Sequence, residues 1–423
     1  MKKIFLVIMI ILSSLLVLSF FKTTVTAYAD ETSDIESEIE DTIDGQLGGL
    51  DISEIEKILA SIGEQEYEIF GNKNFSEFLM NILSGEFSEN GKNFFSAILA
   101  LVFDDILIFL PLVATIVSIS ILCGFVSNIR SRLGSKATGD IVHFVCYGVV
   151  ILLVMNVVRQ MIGMTTSTLN LLKEEMDAIF PILLTLMTTI GGSVSVSVYQ
   201  PMVAVLSGGI VQIGTSVLMP IFIFILIFSV LSNLSSSFKF EKFVSFFSSC
   251  FKWILGTSFT IFIAFLSIQG ITASSLDGVS IRTAKFAIRS YIPIVGGYLS
   301  DGFNVIMASS VLIKNAVGAA GLMLLFATIA VPIIKILIFS LSMHLASAIL
   351  EPLADSRTAN FVHTVAKTCT LLVAILICVS FMFLLTTGLI MCTANVFWKE
   401  MKICLLFQVG FWVLQELQLW ELC

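Results

Sequence analysis

Long apolar stretches separated by short polar segments dominate the chain after residue 100. About 20 consecutive apolar residues are enough for one helical membrane span. Stretches of this kind predict an all-α polytopic membrane protein with about seven to nine transmembrane helices. The clearest lie at residues 106–126, 141–162, 178–198, 202–231, 253–272, 322–344 and 368–391.

Some of these stretches are interrupted, so the pattern also predicts broken or re-entrant segments. Pro181 and Gly191-Gly192 interrupt residues 178–198. Residues 202–231 exceed one span and contain glycines and a proline, which fits either one long kinked helix or two short segments. Broken helices are tolerated at membrane depth where protein or a water-filled cavity covers the backbone, so residues 191–220 are a candidate lining region. Ordinary kinks with small residues for close helix packing are the alternative.

The first 100 residues have a different pattern. Residues 1–29 combine an initial pair of lysines, Lys2 and Lys3, an apolar core from Ile4 to Phe21 and a small-x-small site ending at Ala29, as in a secretory signal peptide. An uncleaved first span is the alternative. Residues 30–100 hold 17 acidic residues against three lysines. They are expected to form an acidic extracytoplasmic region with short amphipathic helices, because isoleucine and leucine recur at helical spacing around Ile55 and Leu59.

Composition and charge support a membrane location. Of the 423 residues, 57% are hydrophobic and 13% are charged, well below the share of about 25% charged in soluble domains. The loop at residues 127–140 carries Arg130, Arg132 and Lys136, which places it in the cytoplasm by the positive-inside rule. The net charge of −8 argues against a nucleic-acid partner and leaves the lipid bilayer as the expected environment.

Charged residues within apolar stretches are the candidate functional side chains, because they are costly to insert into a membrane. They are Asp104, Asp105, Lys314 and Lys335. Lysine near a helix end can extend to the interface, which is the alternative for Lys314. Lys335 lies in the middle of its stretch, and we expect it to face the bundle and pair with a carboxylate. No motif for a catalytic nucleophile, metal or cofactor is present, so no enzymatic activity is expected.

The segment at residues 275–303 is unusually polar for its surroundings. Asp277 and Gly278 predict a turn, after which three cations spaced three and four residues apart predict a short basic amphipathic helix at the membrane surface. A proline then ends this helix, and a glycine pair adds backbone flexibility. A second Asp-Gly pair predicts a turn that reverses the chain. The candidate functional residues of this segment are Asp277, Arg282, Lys285, Arg289, Pro293, Gly296, Gly297, Asp301 and Gly302.

The run from residue 277 to residue 318 resembles the signature of the stage III sporulation protein AE family. It reads DGVSIRTAKFAIRSYIPIVGGYLSDGFNVIMASSVLIKNAVG. The resemblance covers most of residues 1 to about 397, including the N-terminal signal, the acidic segment and the multispan membrane domain at residues 101–397. The tail at residues 398–423 does not look like the family.

The resemblance implies a place in the mother-cell membrane surrounding the forespore. There the family contributes to a channel complex with the other stage III sporulation proteins AA to AH and, through them, with the forespore protein Q. The resemblance transfers no catalytic or transport residues to this chain. The residues alone leave a second hypothesis open, a stand-alone secondary transporter of a small solute.

Overall fold

In the computed structural model, the described residues are 53–61, 75, 79–80, 91–133, 136–234, 240–291, 296–353 and 356–393. The predicted signal peptide at residues 1–29, most of the acidic region at residues 30–100 and the tail at residues 398–423 therefore lie outside the described residues. Within the described ranges the secondary structure is helical, which confirms the predicted all-α class.

Eight α-helices longer than one turn, together with a three-residue α-helical segment at Val211–Ile213, occur in the described part of the chain. The short helix α1 belongs to the acidic region and buries Ile55, Ile58 and Leu59, as its spacing predicts. In chain order the helices are α1 (Ser53–Ser61), α2 (Gly91–Leu133), α3 (Lys136–Thr189), α4 (Ser193–Ala204), α5 (Met219–Leu234), α6 (Glu241–Tyr291), α7 (Gly296–Leu353) and α8 (Ser356–Cys392).

Six helical segments of the described chain are long and apolar enough to cross a membrane. They are Val102–Leu122, Tyr147–Thr189, Ser193–Asn233, Glu241–Ser267, Val305–Pro352 and Arg357–Met391. They are fewer than the stretches in the sequence because some neighbouring stretches form one helix. The charged segment around Lys173 does not break the helix, since lysine and glutamate are good helix formers and α3 continues through it. Residues 303–320 and 322–344 likewise belong to the single helix α7.

Helix α3 ends at the predicted glycine pair. Gly191 has a φ of 89°, in the left-handed region that favours glycine. The Gly192 N–H donates to the Met187 carbonyl at 2.9 Å, and the Gly191 N–H donates to the Thr188 carbonyl at 2.9 Å. These two bonds form a Schellman motif, which stops the helix and turns the chain into α4. Pro181, in contrast, lies inside α3 without ending it.

Helices α4 and α5 are joined by two π-helical segments, Val205–Ile210 and Gly214–Leu218. The sequence left open one long helix or two short segments, and the structure has one long helix with a widened middle. A Cβ at Gly214 would lie 3.3 Å from Ile375 Cδ1, so glycine permits close packing against α8 there. Single π-helical turns relieve strain in a helix and occur often at functional sites.

The core of the bundle lies around α7 and α8. Helix α7 packs against α8, α3 and α2. Two glycines of α7 allow the closest approaches: a Cβ at Gly318 would lie 2.4 Å from Met391 Sδ, and a Cβ at Gly321 would lie 2.9 Å from Ile179 Cδ1. Small residues at helix contacts are typical of membrane bundles, because they let backbones approach.

Two turns predicted from Asp-Gly pairs are wrong. Helix α6 runs without a break through Asp277 and Gly278, and Asp301 and Gly302 lie within α7. A glycine inside a helix costs about 1 kcal/mol relative to alanine. Helices of 51 and 58 residues tolerate that cost.

Candidate functional site

Helix α7 carries three polar side chains that meet partners from three different parts of the chain. They are Lys314, Thr328 and Lys335, at intervals of 14 and 7 residues. With 3.6 residues per turn these intervals return to nearly the same side of the helix, at axial distances of about 21 Å and about 10 Å. The three groups form a polar row along one side of the central helix.

Lys314 is fully buried at one end of this row. Its Nζ donates a hydrogen bond to the backbone carbonyl of Thr393 at 2.6 Å. The Thr393 Oγ1 is 3.1 Å from the hydroxyl of Tyr199, which is also buried. The ammonium group therefore does not extend to the surface, the alternative considered for it from the sequence. It joins α7 to α4 and to the chain segment that follows α8.

Glu175 and Thr328 make the middle contact of the row. Glu175 is fully buried, and its Oε1 accepts a hydrogen bond from the Thr328 hydroxyl. Its Oε2 has no hydrogen-bond partner among the described residues. Burial of a carboxyl group with one free oxygen is costly, which makes this position a candidate for function.

Sequence reasoning missed Glu175 because it lies between two predicted spans, residues 141–162 and 178–198, where a loop is expected. The signal was present in the spacing of the neighbouring apolar residues. Leu172, Met176, Ile179 and Leu183 recur every three or four residues and are all buried. Glu175 belongs to the same helical side, so the periodicity indicates that it faces the core.

The third interaction of the row is electrostatic, between the charges of Asp105 on α2 and Lys335 on α7. Asp105 is 2% exposed, and its charge interacts with that of Lys335, which is half-buried. The Phe109 and Phe339 rings pack one helical turn further on, with centroids 5.6 Å apart. The expected carboxylate near Lys335 is therefore Asp105, whereas its neighbour Asp104 is exposed.

The candidate residues of the polar central segment are not brought into this row by any described contact. Asp277, Arg282, Lys285 and Arg289 lie on the last part of α6. The others, Gly296, Gly297, Asp301 and Gly302, lie in the first turns of α7. Pro293 is outside the described residues. Their functional role remains a prediction.

The described residues contain no cluster of three or more His, Cys, Asp or Glu side chains able to hold a metal ion. His344 and His363 contact each other across α7 and α8, with ring centroids 5.1 Å apart. The described part of the protein is thus a helical multispan membrane bundle with ionisable side chains buried along its central helix.

Comparison with known proteins assigns the bundle to a family. The sequence model of the stage III sporulation protein AE family matches residues 73–394. The chain therefore belongs to this family. It is similar to stage III sporulation protein AE of Bacillus subtilis (strain 168), with 27% identity over 320 residues, which cover 75% of this chain and 79% of the relative. No solved structure matches it.

Proposed function

We propose that the protein is an integral membrane component of the channel complex between mother cell and forespore. Its partners are the other stage III sporulation proteins AA to AH and, through the complex, the forespore protein Q. Its location is the mother-cell membrane surrounding the forespore. The single observation that carries the proposal is family membership over residues 73–394. That assignment gives the protein a role in sporulation, and the six apolar helical segments give it a multi-pass membrane location.

The polar row of α7 supports a structural or path-lining role within such a complex. Ionisable side chains inside membrane bundles are rare and mark ion or solute pathways, proton relays or pairing between helices. Here Lys314 bonds to Thr393 just after α8, Glu175 of α3 bonds to Thr328 of α7, and the charge of Lys335 interacts with that of Asp105 on α2. A row of this kind holds α2, α3, α4 and α8 in register around α7.

Affinity purification from sporulating cells tests this assignment. The full-length chain, tagged at one terminus, is crosslinked in the membrane, solubilised and analysed by mass spectrometry. We expect to recover other stage III sporulation proteins AA to AH and protein Q. Their amounts should exceed those recovered with an equally abundant unrelated multispan protein. Recovery at the level of that control, with and without crosslinking, would refute membership of the complex.

A stand-alone secondary transporter is the second candidate. The two π-helical segments between α4 and α5 favour it, because transporters place discontinuous helices beside their solute sites. Purified protein in liposomes separates the candidates. Solute flux without any partner supports the transporter, and a silent liposome that becomes active only with partners supports the complex.

A further inference from the structure

A groove opens on the surface of the bundle between α3 and α5. Its volume is about 410 Å³, within the size range of small-molecule sites. Several of its walls are exposed side chains, so the groove is accessible from outside the bundle. The residues that line it include Val158, Arg159, Ile162, Ile223, Ile227 and Leu231.

Arg159 is the one charged residue among those that line the groove. Its side chain is exposed, and no salt bridge joins it to another described residue. A guanidinium group beside apolar walls in a membrane protein is costly unless an anion or water meets it. The planar fork of arginine matches the paired oxygens of a phosphate or carboxylate. The groove therefore combines an apolar wall with a single site of anion recognition.

The position of Arg159 along α3 fits a headgroup. The apolar stretch that begins near Ile141 ends at Ile162, less than one turn after Arg159. The polar stretch that follows contains four consecutive hydroxyl residues, Thr165, Thr166, Ser167 and Thr168. Such a change from apolar to polar residues is typical of the membrane–water interface, where lipid phosphates lie.

From these features we infer that the groove binds one anionic phospholipid. The phosphate contacts the guanidinium of Arg159, and an acyl chain lies along the apolar walls at Ile223 and Ile227. Basic pockets between transmembrane helices bind anionic headgroups by the same combination of contacts. The charge of Arg159 favours this occupant over a neutral lipid or an apolar helix from another protein.

Native mass spectrometry of the full-length protein in non-ionic detergent tests the site. The probes are phosphatidylglycerol and, as the neutral control, phosphatidylcholine. The wild-type protein is expected to retain phosphatidylglycerol in clear preference to phosphatidylcholine. Arg159→Gln should lower phosphatidylglycerol occupancy about fivefold, the effect of one basic residue at an anionic surface, and leave phosphatidylcholine unchanged.

Two further variants separate the charge from the shape of the groove. Lys173→Gln removes an exposed cation of the same helix outside the groove, and it should leave occupancy unchanged. Ile227→Trp fills the groove and keeps Arg159, and it should lower occupancy of both lipids. If Arg159→Gln aggregates on gel filtration, Arg159→Lys and Ile227→Trp decide the matter.

Equal retention of the two lipids by the wild-type protein would overturn the inference. Unchanged phosphatidylglycerol retention in a monodisperse Arg159→Gln, or in both Arg159→Lys and Ile227→Trp, would overturn it as well. The first outcome is the one expected if a transmembrane helix of another protein occupies the groove instead.

Discussion

Helices α7 and α8 differ from α2 and α6 in burial although all four are apolar. The spans of α7 and α8 are 67% and 61% buried inside the protein, whereas those of α2 and α6 are 28% and 22% buried. In lipid, apolar residues suit both sides of a span, so hydrophobicity does not distinguish the inside from the outside. What distinguishes α7 from the outer helices is which residues are buried: small and polar side chains of α7 lie inside the bundle.

The inner side of α7 illustrates this difference. Its buried residues include Ser309, Ser310, Lys314, Ala316, Ala320, Ala327, Thr328, Ala330 and Ser340. The outer helices instead expose large apolar side chains, including Phe103, Leu107, Phe246, Trp253 and Ile261. Close helix contacts and polar partners therefore determine which side chains occupy the centre of the bundle. Contact with lipid determines which side chains occupy its surface. Four substitutions test this distinction, from the largest expected effect to the smallest.

Lys335→Met is expected to have the largest effect. It removes the positive charge that acts on the buried Asp105 carboxyl group, and an uncompensated buried charge is destabilising. We expect a protein that still inserts into the membrane but unfolds at lower temperature in detergent and supports fewer spores.

The double variant Asp105→Asn, Lys335→Met should recover most of that stability, because no isolated charge remains. Lys173→Met, at an exposed position, is the matched single control. Full spore formation by Lys335→Met would eliminate a role for this lysine in a functional path.

Gly321→Val tests the close approach of α7 and α3. A Cβ there would lie 2.9 Å from Ile179 Cδ1 and 3.1 Å from its Cγ2, so the helices must separate. Overpacking of this kind costs about 1–3 kcal/mol, measured as a lower unfolding temperature of the purified protein. Gly388→Val on α8 is the control, because a Cβ there meets no atom within 4 Å. Equal destabilisation by both variants would show that helix propensity, and not the contact, is responsible.

Thr328→Val removes the one hydrogen-bond donor that the described residues supply to the buried Glu175 carboxyl group, and it conserves the shape of the side chain. An unsatisfied buried polar group costs about 1–3 kcal/mol, so the unfolding temperature should fall. Thr386→Val is the control: Thr386 is equally buried, but its hydroxyl bonds only to the Met382 carbonyl of its own helix. Adding Glu175→Leu to Thr328→Val should restore stability. No restoration would mean that Glu175 is not the group that Thr328 satisfies.

Parts of this centre could be predicted from the sequence and parts could not. The apolar stretches predict the helical class because their length matches a bilayer. The position of Lys335 in the middle of its stretch indicated a buried partner, but spacing within one helix cannot identify Asp105 on another. Glu175 was missed because adjacent charges resemble a loop. The turn at Asp277 was predicted wrongly because a local turn signal is weaker than the helix on both sides of it.

Phe246→Leu is expected to have the smallest effect, because Phe246 is 60% exposed on the outer surface of α6. Both side chains suit lipid, so the unfolding temperature in detergent should change by no more than the equivalent of about 0.5 kcal/mol. Phe383→Leu on α8 makes the same chemical change in the core, where the ring packs edge-on against Phe180 with centroids 5.2 Å apart. Its loss of packing should cost about 1 kcal/mol or more. If Phe246→Leu were as destabilising as Phe383→Leu, the exposed side of α6 would be a protein contact instead of a lipid contact.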